Sequence, residues 1–226
     1  MDITSIEFWI AAGQIILIDI ILSGDNAVII ALAARNLPPE QRNKASFWGV
    51  FGAVALRIIL IFFALQLMSV PFLKIVGGLL LLWIGVKLLI PQKDNEHNIK
   101  GSGNLTSAIR TIVIADAVMS LDNVIAIAAA AQGDLKLVIF GLILSVPLIV
   151  YGSRYVMALM DRFPIVIVLG GGLLGWIGGG MLIEDVFLQP YISSYGESLH
   201  LVAKIMGGVF VVLAGKQLAR ARQNRS

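Results

Sequence analysis

Apolar residues form seven long runs along the chain, and short polar stretches that often contain proline separate them. Each run is about 20 residues long, the length of helix that crosses a hydrocarbon core about 30 Å thick. We therefore predict seven membrane-spanning helices, at residues 8–34, 45–68, 71–90, 106–131, 136–158, 164–184 and 200–218. The predicted fold is an all-α polytopic membrane protein in which residues 1–226 form a single transmembrane domain.

The composition supports a protein whose solvent is a lipid bilayer. Only 14% of the residues are charged, against about 25% in a typical soluble domain. There is no cysteine, which excludes disulfides, thiolate metal sites and cysteine nucleophiles. The start of the chain has no basic segment, so we expect no cleaved signal peptide.

The basic residues predict how the chain crosses the membrane. If the C-terminus is inside, twelve Lys and Arg residues lie at inside ends or loops and three lie outside. Basic residues concentrate on the cytoplasmic side of membrane proteins. The N-terminus is therefore predicted outside and the C-terminus inside. The net charge of +3 then reflects topology rather than nucleic-acid binding.

One polar pattern occurs twice inside the apolar runs. It reads D-x-x-x-S-x-D-N, beginning at Asp19 and again 97 residues later at Asp116. Arg57 and Arg154 have the same separation, and Pro71 and Pro164 match after a shift of four residues. Residues 8–90 therefore resemble residues 106–184, and helix 200–218 is extra.

Each repeat has three spans, so the second must enter the membrane from the opposite side. This predicts an inverted repeat with a pseudo-two-fold axis in the membrane plane. Transporters built in this way place their sites near the midplane, between the repeats and on interrupted helices.

The first copy of the motif has a geometry that a regular helix satisfies only in part. Asp19, Ser23 and Asn26 share one helix face, but Asp25 lies about 120° away from Asp19. Asp25 joins the same site at its flank, or if the helix unwinds near Ser23 and Gly24. The second copy has Leu121 in place of this glycine.

The two copies are rich in oxygen donors. Carboxylate, amide and hydroxyl groups are the ligands of Mg²⁺, Mn²⁺ and Ca²⁺. The candidate metal ligands are Asp19, Asp25, Asn26, Asp116, Asp122 and Asn123, with Ser23, Ser120 and Met119 as additional candidates. The thioether of Met119 would favour a transition metal, although a packing role is the simpler interpretation.

Four carboxylates in a low-dielectric interior need protons or cations when no metal is bound. Arg57 and Arg154 are the candidate counter-charges. Arg57 lies deep in its span, where it either pairs with a motif aspartate or has a structural role. Arg154 lies nearer the inner end of its span, where snorkelling towards the headgroups is favoured.

Gly171, Gly175 and Gly179 lie on one helix face in the sixth run. Small residues at this spacing let helix backbones approach closely. Internal packing is the simpler interpretation, and a homodimer interface is the alternative.

The doubled motif resembles that of the TerC family of integral membrane proteins, over nearly the whole chain. The resemblance is closest to short members without appended soluble domains, in a wider group that includes LysE-type exporters. It implies efflux of divalent metal ions, Mn²⁺ above all, across a bacterial cytoplasmic membrane. It also implies that Mn²⁺ is cargo and that the protein has no prosthetic group.

Three other functions remain open from the sequence. An exporter of another small solute, such as an amino acid, would share the repeat, although four acids suit a cation better. An intramembrane aspartyl protease needs one carboxyl pair that shares a proton, whereas this chain has four aspartates in a repeat. A membrane scaffold would tolerate loss of the acids. We predict a transporter rather than an enzyme.

Overall fold

The computed structural model describes residues 6–22, 24–63, 67, 70–90, 104–130, 134–192 and 196–223. Throughout these ranges the regular secondary structure is helical, which confirms the all-α prediction. The helices are α1 Ile6–Leu22, α2 Gly24–Ala34, α3 Pro39–Phe62, α4 Leu73–Leu89, α5 Leu105–Ala130, α6 Leu135–Arg162, α7 Ile165–Ile183, α8 Gln189–Ile192 and α9 Gly196–Gln223.

Four of the described helices are long and apolar enough to cross a membrane, and they correspond to α3, α6, α7 and α9. Shorter apolar helices occupy Phe8–Asp19 and Asp25–Ala34. The helices α4 and α5 cover the predicted runs 71–90 and 106–131. The chain is therefore a multi-pass, all-helical membrane protein.

Two helices extend well beyond the predicted apolar runs. The helix α3 begins at Pro39 rather than at residue 45, with proline in its first turn. Proline is favoured there because its missing amide would have no helical partner. The helix α9 begins at Gly196 and continues to Gln223, so its last turn carries the basic residues Arg220 and Arg222. Both extensions are polar, which is why hydropathy alone does not find them.

The first motif copy spans two helices, whereas the second lies within a single helix. The first spans the end of α1 and the start of α2, and Ser23 between them lies outside the described residues. The second lies within α5, which is helical without a break through Leu121. Local unwinding at the first copy stays a prediction.

The helices pack in pairs that exchange partners between the two halves of the chain. The helix α3 packs along α5, and α6 packs along α1 and α2. One buried apolar cluster joins α1, α3, α5 and α6 around Ile15, Val54 and Leu142. A second joins α2, α4, α5, α6 and α7 around Leu32 and Leu81.

The glycines of α7 bring neighbouring backbones into contact. A Cβ atom on Gly175 would lie 2.3 Å from the carbonyl oxygen of Gly207 in α9. A Cβ atom on Gly179 would lie 2.3 Å from the carbonyl oxygen of Ala203. Only hydrogen fits at either position. The interpretation of the glycine stripe as an internal packing surface is confirmed.

The contact between α4 and α7 is reciprocal. A Cβ atom on Gly78 would lie 2.6 Å from the carbonyl oxygen of Gly178. One on Gly85 would lie 3.4 Å from the carbonyl oxygen of Gly171. In the sequence repeat Gly78 corresponds to Gly171 and Gly85 corresponds to Gly178, with the same separation as Pro71 and Pro164. The first glycine of each helix therefore meets the second glycine of the other helix.

A buried aspartate ties the end of α7 to the start of α4. The Asp185 carboxylate accepts hydrogen bonds from the backbone amides of Phe72 (2.9 Å) and Lys74 (3.0 Å), and from that of Phe187 (2.9 Å). Burial raises the pKa of Asp185, but these amides outweigh burial and hold the pKa below its ordinary value. Asp185 therefore caps α4 across the chain.

Candidate functional site

The first aspartates of the two motif copies meet on one arginine. The Arg57 guanidinium pairs with Asp19 through Nη1 and with Asp116 through Nη2, the second contact measuring 2.6 Å. Arg57 is 2% exposed, and Asp19 is fully buried. Asp19 and Asp116, which lie 38 and 59 positions from Arg57 in the sequence, thus form one buried charge cluster with it.

Neutral side chains complete the coordination of these two carboxylates. Asn26 Nδ2 donates to Asp116 Oδ1 at 2.6 Å, and Ser120 Oγ donates to Asp116 Oδ2 at 3.1 Å. Ser120 Oγ also accepts from Arg57 Nε at 2.9 Å. The spacing of Ser120 and Asp116, four residues on one helix, is that of facing side chains.

Ser145 on α6 belongs to this cluster, although the motif does not contain it. Its hydroxyl donates to Asp19 Oδ2, and the side chain is fully buried. It is the only hydroxyl residue between Leu137 and Val150, two positions before Pro147. Ser145 could have been identified from the sequence as a lone polar residue in an apolar run, close to a proline.

Two acceptor oxygens lie near the cluster. Asp25 Oδ1 and Asn26 Oδ1 are buried, and neither has a hydrogen-bond donor among the residues that the structure describes. Asp25 is half-buried and lies close enough to Asp116 and Arg57 to interact electrostatically with both. Buried acceptors of this kind are costly when they stay unsatisfied. They are positions at which a cation or a water molecule would be stabilised.

A small cavity adjoins the charge cluster. Asn26, Arg57 and Asp116 form its polar wall, and Val54, Ile112 and other aliphatic residues form the remainder. The cavity volume is about 10 Å³, which is room for about one water molecule. A single ion without its hydration shell is of this size, whereas a hydrated ion is larger.

The remaining predicted site residues have different positions. Met119 packs in the apolar cluster that joins α2, α4, α5, α6 and α7. Arg154 is exposed, and its guanidinium lies 5.2 Å from the ring centre of Tyr151. Asn123 is half-buried. Ser23 and the side chain of Asp122 lie outside the described residues.

Acidic and histidine side chains do not gather into a three-ligand metal cluster within the described part of the chain. The described site is therefore an arginine-bridged carboxylate pair with two unsatisfied oxygens beside it. Such a site can hold a cation on oxygen ligands, with the guanidinium compensating part of the negative charge.

Comparison with known proteins gives a consistent result. A family model described as the integral membrane protein TerC family matches residues 4–224. The uncharacterized membrane protein YjbE of Bacillus subtilis is 45% identical over 208 residues, which cover 92% of this chain and 94% of that protein. The UPF0053 inner membrane protein YgdQ of Escherichia coli is 24% identical over 226 residues, covering 88% of this chain and 95% of the relative. No solved structure matches the chain.

Proposed function

Because the chain belongs to the TerC family of integral membrane proteins, we propose that it transports divalent cations, with Mn²⁺ as the main cargo. In this proposal the two D-x-x-x-S-x-D-N motifs form one site near the membrane midplane. The direction, from the cytoplasm outwards, follows the family resemblance. The protein would lie in a bacterial cytoplasmic membrane, and the relative YgdQ is named an inner membrane protein.

The convergence of Asp19 and Asp116 is the observation that carries this proposal. The two residues belong to different copies of the motif, and they meet in the interior on one guanidinium. Burying charged groups among apolar helices costs several kcal/mol per ion unless they are paired. Charges kept at such a position favour a functional role over simple packing.

The chemistry and size of the site favour a metal ion over an amino acid. The unsatisfied groups, Asp25 Oδ1 and Asn26 Oδ1, are both oxygen acceptors, as a hard cation requires. The adjoining cavity has room for about one water molecule. An amino acid would need a considerably larger space and a partner for its carboxylate.

The geometry also disfavours proteolysis. An aspartyl protease needs two carboxyl groups that share a proton. Here Asp19 and Asp116 are each bound to Arg57 instead. A guanidinium between the carboxylates leaves no place for the attacking water that such an enzyme activates.

Seven spans and an inverted repeat are part of the proposal. The exchanged pairing of α3 with α5 and of α6 with α1 and α2 supports it. So does the reciprocal glycine contact, in which Gly78 meets Gly178 and Gly85 meets Gly171. With this topology the N-terminus lies outside and the C-terminus inside. A homodimer in the membrane remains part of the proposal, with an interface other than the glycines that α9 covers.

The test is Mn²⁺ flux into liposomes that contain the purified protein. Asp25→Asn and Asp122→Asn each remove one proposed ligand. Loss of even an outer-shell partner typically lowers metal affinity or activity about 10- to 100-fold. We therefore expect Mn²⁺ flux in each variant to fall by at least about tenfold. The control is Asp161→Asn, an exposed carboxylate paired with Arg42 at 2.9 Å.

Each result has a defined meaning. Loss of flux in both motif variants, with the control close to the unmodified protein, supports the metal site. Mn²⁺ flux that survives in both variants overturns the proposed site, and an unmodified protein that carries no Mn²⁺ overturns metal transport. Flux of a radiolabelled amino acid in place of Mn²⁺ would favour the other class of exporter.

A further inference from the structure

The three motif aspartates whose side chains the structure describes have different environments, although the sequence repeats Asp19 and Asp116 as equivalents. Asp19 is bound to Arg57 and Ser145, and Asp116 is bound to Arg57, Asn26 and Ser120. Asp25, by contrast, keeps one buried carboxylate oxygen, Oδ1, without a donor among the described residues, although the backbone amides of Asp25 and Asn26 hydrogen-bond to its carboxylate. The difference divides the site into a satisfied part and an unsatisfied part.

Asn26 connects the two parts. Its amide nitrogen donates to Asp116 Oδ1 at 2.6 Å, which assigns the nitrogen to the satisfied part. Its side-chain carbonyl oxygen is buried without a partner in the described part of the chain, and Asn26 is only 3% exposed. The donor of this amide is thus used within the protein, and its acceptor is available to a ligand.

Resting on the proposed transport function, we propose that the motif residues divide their roles. Asp19 and Asp116 are resident partners of Arg57, and the cargo cation binds to the side-chain oxygens of Asp25 and Asn26. The guanidinium acts as a fixed counter-cation that holds the first aspartate of each copy away from the metal. Asn26 then positions the metal ligands relative to this ion pair.

The formal charges agree with a divalent cargo. Three carboxylates, those of Asp19, Asp25 and Asp116, face one guanidinium, so the described cluster carries a formal charge of −2. One Mn²⁺ ion neutralises it. Without Arg57 the same carboxylates would carry −3, which a single divalent cation cannot balance.

The first test compares two charge-neutral variants, Asn26→Ala and Ser120→Ala. Each removes one hydrogen bond donated to Asp116, at 2.6 Å and 3.1 Å respectively, and Ser120→Ala also removes the acceptor of Arg57 Nε. Only Asn26→Ala also removes the unpartnered carbonyl oxygen. Mn²⁺ binding to the purified protein in detergent is measured from the spectroscopic signal of free aqueous Mn²⁺.

We expect Asn26→Ala to raise the dissociation constant of Mn²⁺ at least about tenfold more than Ser120→Ala does, the scale on which metal-site partners act. Equal losses in the two variants would show that only the bond to Asp116 matters, and they would overturn the division of roles. No Mn²⁺ binding by the unmodified protein would instead overturn the proposed function itself.

A second comparison keeps the inference testable if Asn26→Ala fails to fold. The double variant Asp19→Asn with Arg57→Gln removes one charge of each sign, so the net charge of the cluster is unchanged. We expect it to bind Mn²⁺ more tightly than Asp25→Asn by at least about tenfold. Binding by the double variant that is no tighter than binding by Asp25→Asn would make Asp19 at least as important a ligand as Asp25, against the proposal.

Discussion

The buried ion pair at the centre of the protein predicts a large and specific stability loss on substitution of Arg57. Arg57→Met removes the cation from two carboxylates, of which Asp19 is fully buried and Asp116 is 6% exposed. It also removes the donor to Ser120. Removing one partner of a buried pair typically costs about 3–5 kcal/mol, because the remaining charge stays uncompensated. We expect a loss of that size in the free energy of unfolding.

The assay is unfolding of the purified protein in mixed micelles by titration with SDS, followed by helical circular dichroism. The repeat provides the control, Arg154→Met, which substitutes the corresponding arginine. Arg154 is exposed and stacks 5.2 Å from Tyr151, so its loss should cost no more than about 1 kcal/mol.

A rescue experiment separates charge from packing. Adding Asp19→Asn and Asp116→Asn to Arg57→Met removes both uncompensated charges, and it should recover most of the lost stability. Replacing a whole buried ion pair is often neutral or stabilising, by about 1–4 kcal/mol. The reasoning fails if Arg57→Met is no more harmful than Arg154→Met, or if the triple variant is less stable than Arg57→Met.

Two further predictions concern the packing and capping of the helices. Gly179→Ala places a methyl group 2.3 Å from the Ala203 carbonyl oxygen, and it should cost at least about 1–3 kcal/mol in the same unfolding assay. Gly13→Ala, where no atom lies within 4 Å of the new methyl group, should instead be neutral or stabilise by up to about 1 kcal/mol. Asp185→Asn should destabilise the protein at pH 7 by about 1–3 kcal/mol. Because the folded-state pKa of Asp185 is lowered, its contribution is present above its unfolded pKa of about 4 and is lost as pH falls further. The unmodified protein should therefore lose its advantage over Asp185→Asn in acid, and a constant difference between pH 7 and pH 3 would contradict the capping role.

The helices could be predicted because a membrane-spanning helix corresponds to a long apolar run in the sequence. Lipid supplies no hydrogen-bond partners to the backbone, so an apolar run of about 20 residues has few alternatives to a helix. The ends were less predictable. The first turns of α3, from Pro39 onwards, and the last turns of α9, as far as Gln223, contain polar residues. At the start of α3 the preference of proline for the first helical turn, rather than hydrophobicity, favours that end.

The sequence singled out most residues of the charge cluster, but only part of the contacts between them. The depth of Arg57 in its span made pairing with an aspartate one of two alternatives, and the structure places it between Asp19 and Asp116. Ser145 was missed because it lies outside both motif copies. Its contact with Asp19 depends on α6 packing along α1, and long-range packing of this kind leaves no local pattern in the chain.

The two arginines show that matching positions in the sequence repeat can have different environments in the structure. Arg57 and Arg154 occupy matching positions, yet Arg57 is buried between carboxylates and Arg154 is exposed beside Tyr151. If both arginines entered the cluster, two guanidiniums would cancel the charge of Asp19 and Asp116 and weaken any attraction for a cation. With one guanidinium inside, a negative charge remains. Under the proposed function, this loss of strict symmetry leaves the pair of acidic motifs able to attract a positively charged ion.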